Sequence, residues 1–170
     1  MSVAPKWKDL LAAFEEVKGL DVKRVGEKLG GKVRVNIEDV ADEYKFKNAC
    51  AIRLSYALNA AGSTIPYKEG KTVSGFINGE KHWFYYRITD MEPNFIQNKG
   101  EGLGLVPQKG TSSDAFRGKK GIIVFDVSNF TDASGHLDLY DGEKVVSDDA
   151  DYSKKPGIKC TGVRLYELTM

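Results

Sequence analysis

N-A-C-A-I-R-L-S-Y-A-L-N, residues 48–59, is the stretch around which the rest of the chain is organised. Asn48 is a good N-cap, because its side-chain oxygen can accept from the unpaired amides of a first helical turn. Cys50, Leu54, Ala57, Leu58 and Ala61 then fall on one face, so the pattern predicts a helix that buries this stripe and carries Cys50 at its leading end. A sulfur there lies among unpaired amide hydrogens and at the positive end of the helix dipole. Both favour negative charge on sulfur, which makes this a place where a cysteine becomes a nucleophile. A free cysteine on an apolar helix face also serves as a small core residue, and both readings stand at this point.

The 170 residues suit one domain, spanning 1–170, with a core of its own. Charge is balanced, 25 basic against 24 acidic residues, so no global field draws nucleic acid or an anionic membrane. No run reaches transmembrane length. The N-terminus, M-S-V-A-P-K-W-K-D-L-L, turns charged at once and lacks a signal peptide's apolar region, so synthesis in the cytoplasm is expected, with any export following another route. The two histidines, His82 and His136, are far apart, and no Cys/His cluster has zinc spacing, so no metal site is expected.

Trp7, Leu10, Leu11, Phe14 and Val17 predict an amphipathic helix over 6–18. Asp21 caps a second helix that carries Val22, Val25 and Leu29, with Gly30-Gly31 as its stop. Val33, Val35 and Ile37 alternate and read as extended chain or loop. Residues 63–81 read as a surface loop, and His82–Ile88 as a strand rich in aromatic and β-branched residues. Asp90 is placed to cap a helix over 91–98, with Pro93 in its first turn. A long irregular loop follows over 99–120. G-I-I-V-F-D-V at 121–127 suits a central strand buried on both faces. Residues 163–168 alternate and close the sheet. Helices first and strands afterwards argue for an α+β fold with an antiparallel sheet.

G-H-L-D-L-Y-D-G-E-K-V-V at 135–146 carries a hairpin signal, with Asp141-Gly142 as a two-residue type I′ turn. Leu137 and Leu139 point one way; His136, Asp138 and Tyr140 point the other. A two-residue turn would pair Tyr140 with Glu143 and His136 with Ser147. Asp148 and Asp149 then lie just past the partner of His136. A carboxylate there can hold one ring nitrogen and leave the other facing a thiol, which is the arrangement of nucleophile, base and orienter. Register alone does not choose between Asp148 and Asp149, and Asp138 shares the His136 face two residues on. These acids can equally form a solvated turn. His82 and Cys160 read as structural, and Arg53, one turn past Cys50, as a salt-bridging residue or a substrate anchor.

These motifs resemble the fourth family of type VI secretion amidase effectors, which are peptidoglycan-cleaving toxins. The resemblance is carried by V-G-E-K-L-G-G-K-V at 25–33, the stretch at 48–59, Y-Y-R-I-T-D-M at 85–91, G-K-K-G-I-I-V at 118–124, G-H-L-D-L-Y-D-G at 135–142 and the S-D at 147–148. It implies an NlpC-type, papain-like fold and a Cys-His-Asp amidase without cofactor. Cys50 would be the nucleophile, His136 the base and then the acid, and Asp148, which follows a serine as in the family, the orienter. The implied substrate is the bond between D-glutamate and meso-diaminopimelate in peptidoglycan stem peptides. The implied partners are that stem, the type VI apparatus and a cognate immunity protein, and the implied place of action is a rival's periplasm. Some members flank the aspartate with a cysteine pair; Val146 and Ala150 stand there in this chain. The same triad also serves other papain-like amidases and deamidases acting on protein. A wall-binding domain with Cys50 as core is the non-enzymatic alternative.

Overall fold

The computed structural model describes residues 3–38, 49–128 and 135–170. Three helices come first: α1 (Trp7–Glu15), α2 (Val22–Leu29) and α3 (Gly31–Glu38). The Asp21 carboxylate accepts from the Arg24 amide at 2.9 Å and caps α2 as expected. The segment read as extended is instead α3, because Val33 and Ile37, one helical turn apart, are the residues it buries. Arg34 and Glu38 pair across the same spacing at 3.0 Å.

Helix α4 (Cys50–Ala60) is the centre of the molecule. Its capping residue is Ala49, and Asn48, the expected cap, lies outside the described residues. Cys50, Leu54, Ala57 and Leu58 meet α1 and the sheet through Trp7, Leu10, Ile122, Val124, Leu137 and Leu139. Ile52 and Tyr56 face the other way, toward α2, α3 and Phe84. The helix is thus buried on two sides, which is why nine of its eleven residues are buried.

Residues 63–81, read as a loop, contain β1 (Thr72–Ile77), which pairs antiparallel with β2 (Glu80–Tyr85). Their turn is Asn78-Gly79, with φ of 50° and 82°, the positive pair that a type I′ turn requires. The helix expected over 91–98 starts earlier, as α5 (Ile88–Met91), and continues as a π-helical turn over Glu92–Ile96. Asp90 does not cap it but receives Lys71 at 3.1 Å and Arg87 at 2.7 Å.

The main sheet has the order β3-β6-β4-β5, with β3 (Gln108–Gly110), β4 (Gly121–Val127), β5 (Gly135–Tyr140) and β6 (Cys160–Glu167), all neighbours antiparallel. Strand β4 is central and doubly buried, as its unbroken apolar run predicts: Ile122 and Val124 face α4, while Ile123 and Phe125 face a second cluster with Val145, Ala150, Val163 and Leu165. Strand β5 follows β4 so closely that a Cβ on Gly135 would lie 2.1 Å from the Phe125 carbonyl oxygen. That close approach sets the position of the next residue, His136.

Candidate active site

Cys50 is the first residue of α4 and is 4% exposed. His136 is the second residue of β5, on the face opposite Leu137 and Leu139, and is 8% exposed. The imidazole hydrogen-bonds the Cys50 sulfur, so helix and strand bring together two residues 86 positions apart in sequence, the difference between 136 and 50. His136 Nε2 lies 2.9 Å from Asp138 Oδ2, which leaves Nδ1 for Cys50. Asp138 is 1% exposed, and its other oxygen accepts the backbone N–H groups of Leu139 at 2.8 Å and Ser147 at 3.2 Å.

The carboxylate on the imidazole is therefore Asp138, which the sequence reading left open beside Asp148 and Asp149; the family resemblance implied Asp148. The cause is the turn. Tyr140 bridges to Val145 rather than to Glu143, so four residues, 141–144, form the loop. Asp141 does not take the positive φ that a type I′ turn needs at its first central position. Its carboxylate instead accepts the amides of Glu143 at 2.9 Å and Lys144 at 2.8 Å, an Asx-type turn. The returning chain enters two residues later, Ser147 reaches Asp138 instead of His136, and Asp148 and Asp149 are exposed.

Burial pushes the His136 pKa down. The hydrogen bonds the ring makes to Asp138 and Cys50, together with the charge interactions with both, more than reverse this and bring it up to about 9. The ring, held between Asp138 and Cys50, therefore keeps its proton more tightly than a free imidazole.

A residue that the sequence did not single out completes the surroundings. Tyr152 stacks on His136 with ring centroids 4.5 Å apart and planes 13° from parallel. Phe125 lies beside both rings, 6.3 Å from His136 and 6.0 Å from Tyr152. Nothing in the local pattern of a polar loop marks Tyr152.

The remaining expected positions lie elsewhere. Arg53 donates to the Leu20 carbonyl through Nε at 3.1 Å and Nη2 at 2.9 Å, so it ties α4 to the turn after α1. Cys160 is a half-buried thiol on β6, and neither it nor Cys50 is in a disulfide. Among the described residues no acidic, histidine and cysteine cluster could hold a metal ion. Also among them, no helix is long and apolar enough to cross a membrane.

A cysteine on a helix N-terminus, a histidine on the adjoining antiparallel strand and a carboxylate behind it is a constellation with relatives. A family model described as "Type VI secretion system (T6SS), amidase effector protein 4" matches residues 46–165. The chain belongs to this family. Solved structures agree with that membership. A chain of the Tae4/Tai4 effector–immunity structure from Salmonella typhimurium is 31% identical at a TM-score of 0.77, with 97% of this chain and 99% of that one covered. The Tae4–Tai4 complex from Enterobacter cloacae gives 32% identity and a TM-score of 0.76 over 98% and 100% of the two chains. No curated protein sequence matches the chain. As a member of the amidase effector 4 family the chain is a type VI secretion amidase effector, an antibacterial peptidoglycan hydrolase with the α+β NlpC-type cysteine peptidase fold.

Proposed function

We propose that residues 1–170 act as one amidase unit that hydrolyses the D-glutamyl–meso-diaminopimelate bond of the stem peptide, with Cys50, His136 and Asp138 as its working groups. The observation that carries this is the hydrogen-bonded line from the Cys50 sulfur through His136 to Asp138 at the start of α4. The Cys50 thiolate attacks the amide carbonyl, and the new oxyanion is met by the backbone N–H of Cys50 in the first turn of the helix. The C–N bond then breaks as His136, already protonated at neutral pH, gives its proton to the leaving amine. Water attacks the thioester with His136 now as base, and the glutamyl carboxylate leaves with the thiol restored. Asp138 holds the imidazole at Nε2 and balances its charge. Asp148, the residue the family resemblance named as orienter, contributes less on this reading because it is exposed.

Delivery by the type VI apparatus would bring the enzyme to peptidoglycan in the periplasm of a target cell. The relatives solved with Tai4 immunity proteins support a cognate inhibitor for this chain as well. Digestion of purified sacculi followed by mass spectrometry of the muropeptides tests the reading. The expected products are stems ending at glutamate and released diaminopimelate-containing peptides, with no turnover by a folded Cys50→Ala protein. Release of uncrosslinked stems with the glutamyl bond intact would move the chain to a crosslink-cleaving activity.

A further inference from the structure

Tyr152 belongs to none of the groups that act on substrate above, yet its ring makes a close contact with the imidazole. The centroids are 4.5 Å apart and the planes 13° from parallel, so the contact is face to face. The loop that carries it is fastened on both sides. Asp151 receives the Ser113 hydroxyl and, through Oδ1, the Ser153 hydroxyl at 2.6 Å. Lys154 pairs with Asp114 at 2.7 Å, and the Lys155 amine donates to the Asp149 carbonyl at 3.0 Å. Asp149 takes a left-handed φ of 54° just before this segment, where the chain turns back over β5. The Lys155 amine also lies 5.1 Å from the Tyr152 centroid.

We propose that Tyr152 is a positioning residue for the amidase reaction: its ring fixes the plane of the His136 imidazole against Cys50 and Asp138 and stabilises the imidazolium through its π face. The proposal rests on His136 being the acid and base of the reaction. The Cβ–Cγ bond and the two in-plane hydrogen bonds position the ring but still let it tilt within the slack of those bonds. A flat ring parallel to that plane at van der Waals distance removes this freedom. An aromatic face also attracts the charged form of the imidazole more than the neutral one.

The test compares Tyr152→Phe, which keeps the ring, with Tyr152→Leu, which keeps the apolar cover but loses the π face. Leucine is chosen over alanine because opening the site to water would itself raise the imidazole pKa and mask the loss of the ring. Two readouts are taken: kcat and KM on a defined muropeptide, and the titration of the His136 ring by NMR, where the chain's two histidines give two signals. Tyr152→Phe is expected to stay within about twofold of wild type in both. Tyr152→Leu is expected to lower kcat about tenfold with KM unchanged and to lower the His136 midpoint by about half to one pH unit. A Tyr152→Leu protein with wild-type kcat and midpoint overturns the proposal. So does a Tyr152→Phe protein as impaired as Tyr152→Leu, since the hydroxyl and not the ring would then matter. If the wild type itself fails to cleave the muropeptide, the proposed reaction is lost, while the NMR midpoints still decide whether the ring stabilises the imidazolium.

Discussion

Asp138 Oδ2 and His136 Nε2 lie 2.9 Å apart, two residues along the same face of one strand. In the proposed reaction the orienting carboxylate and the base therefore come from a single element, and no second loop has to be placed to bring them together. Replacing Asp138 by Asn keeps Oδ1 for the Leu139 and Ser147 amides but puts an NH₂ donor against Nε2. The imidazole must then offer Nε2 as an acceptor and carry its proton on Nδ1, the wrong side for Cys50. Asp138→Asn is expected to fold and to lose about 10³- to 10⁴-fold in kcat. Asp148→Asn, at an exposed position, is expected to stay within about threefold of wild type. Steady-state kinetics of the two proteins on one muropeptide check this, and loss confined to Asp148→Asn would return the orienter to the position the family resemblance named.

The protonation of His136 is linked to folding. Its pKa is about 9 in the folded protein against an ordinary value of 6.5, so the folded state holds the proton more tightly. The resulting stabilisation is fully present below pH 6.5 and is lost as pH rises through 9. It is of the order of 3 kcal/mol. Urea midpoints from pH 6 to 10 are expected to fall for wild type across this window and to fall less for His136→Ala. The same deprotonation removes the acid that the leaving amine needs. An alkaline limb near pH 9 is therefore expected in kcat/KM.

Gly135 lets β5 approach β4. A methyl group there would press on the Phe125 carbonyl at 2.1 Å, and backbone on both sides must move to relieve it. Gly135→Ala is expected to cost about 1–3 kcal/mol in stability. It is also expected to lower kcat by at least about tenfold, because the displaced strand carries His136 as its next residue. Urea unfolding and single-turnover kinetics measure the two effects separately. A stable and fully active Gly135→Ala would show that the strand pair tolerates the movement.

The parts of this molecule legible in sequence are those where one local pattern has one physical solution. The stripe from Cys50 to Leu58 gives α4, and the unbroken run from Gly121 to Val127 gives a doubly buried strand. Three residues alternating at Val33, Val35 and Ile37 fit either period, and the Arg34–Glu38 spacing was the signal that favoured helix. Asn78-Gly79 and Asp141-Gly142 are both type I′ signals, yet only the first makes that turn, because the Asp141 carboxylate captures two amides of its own loop. That choice shifts the return strand by two residues and decides which aspartate meets His136. The contact of Tyr152 with His136 depends on where a polar loop folds back, which no short-range pattern encodes.

Arg164 holds the π-helical turn onto the sheet. Its guanidinium meets Glu92 twice, Nε to Oε2 at 2.7 Å and Nη2 to Oε1 at 2.9 Å, and it also pairs with Asp126 through Nη1 and Nη2. Glu92 is largely buried and receives the Tyr166 hydroxyl as well, and Tyr166 in turn accepts from Gln97 at 2.7 Å. Burial and the Glu92 carboxylate together push the Tyr166 pKa well up, and the two carboxylates do the same for Arg164. Removing the arginine alone strands a buried negative charge. Arg164→Leu is therefore expected to cost about 3–5 kcal/mol. Glu92→Gln keeps an oxygen for Tyr166 and removes that charge, so adding it to Arg164→Leu should restore part of the loss, with a coupling energy of about 1–3 kcal/mol in the double-mutant cycle. Urea unfolding of the four proteins gives the cycle. Additive losses would mean that the carboxylate is solvated well enough to stand without its arginine, and that the turn following Met91 is held by apolar packing of Phe95 and Ile96 alone.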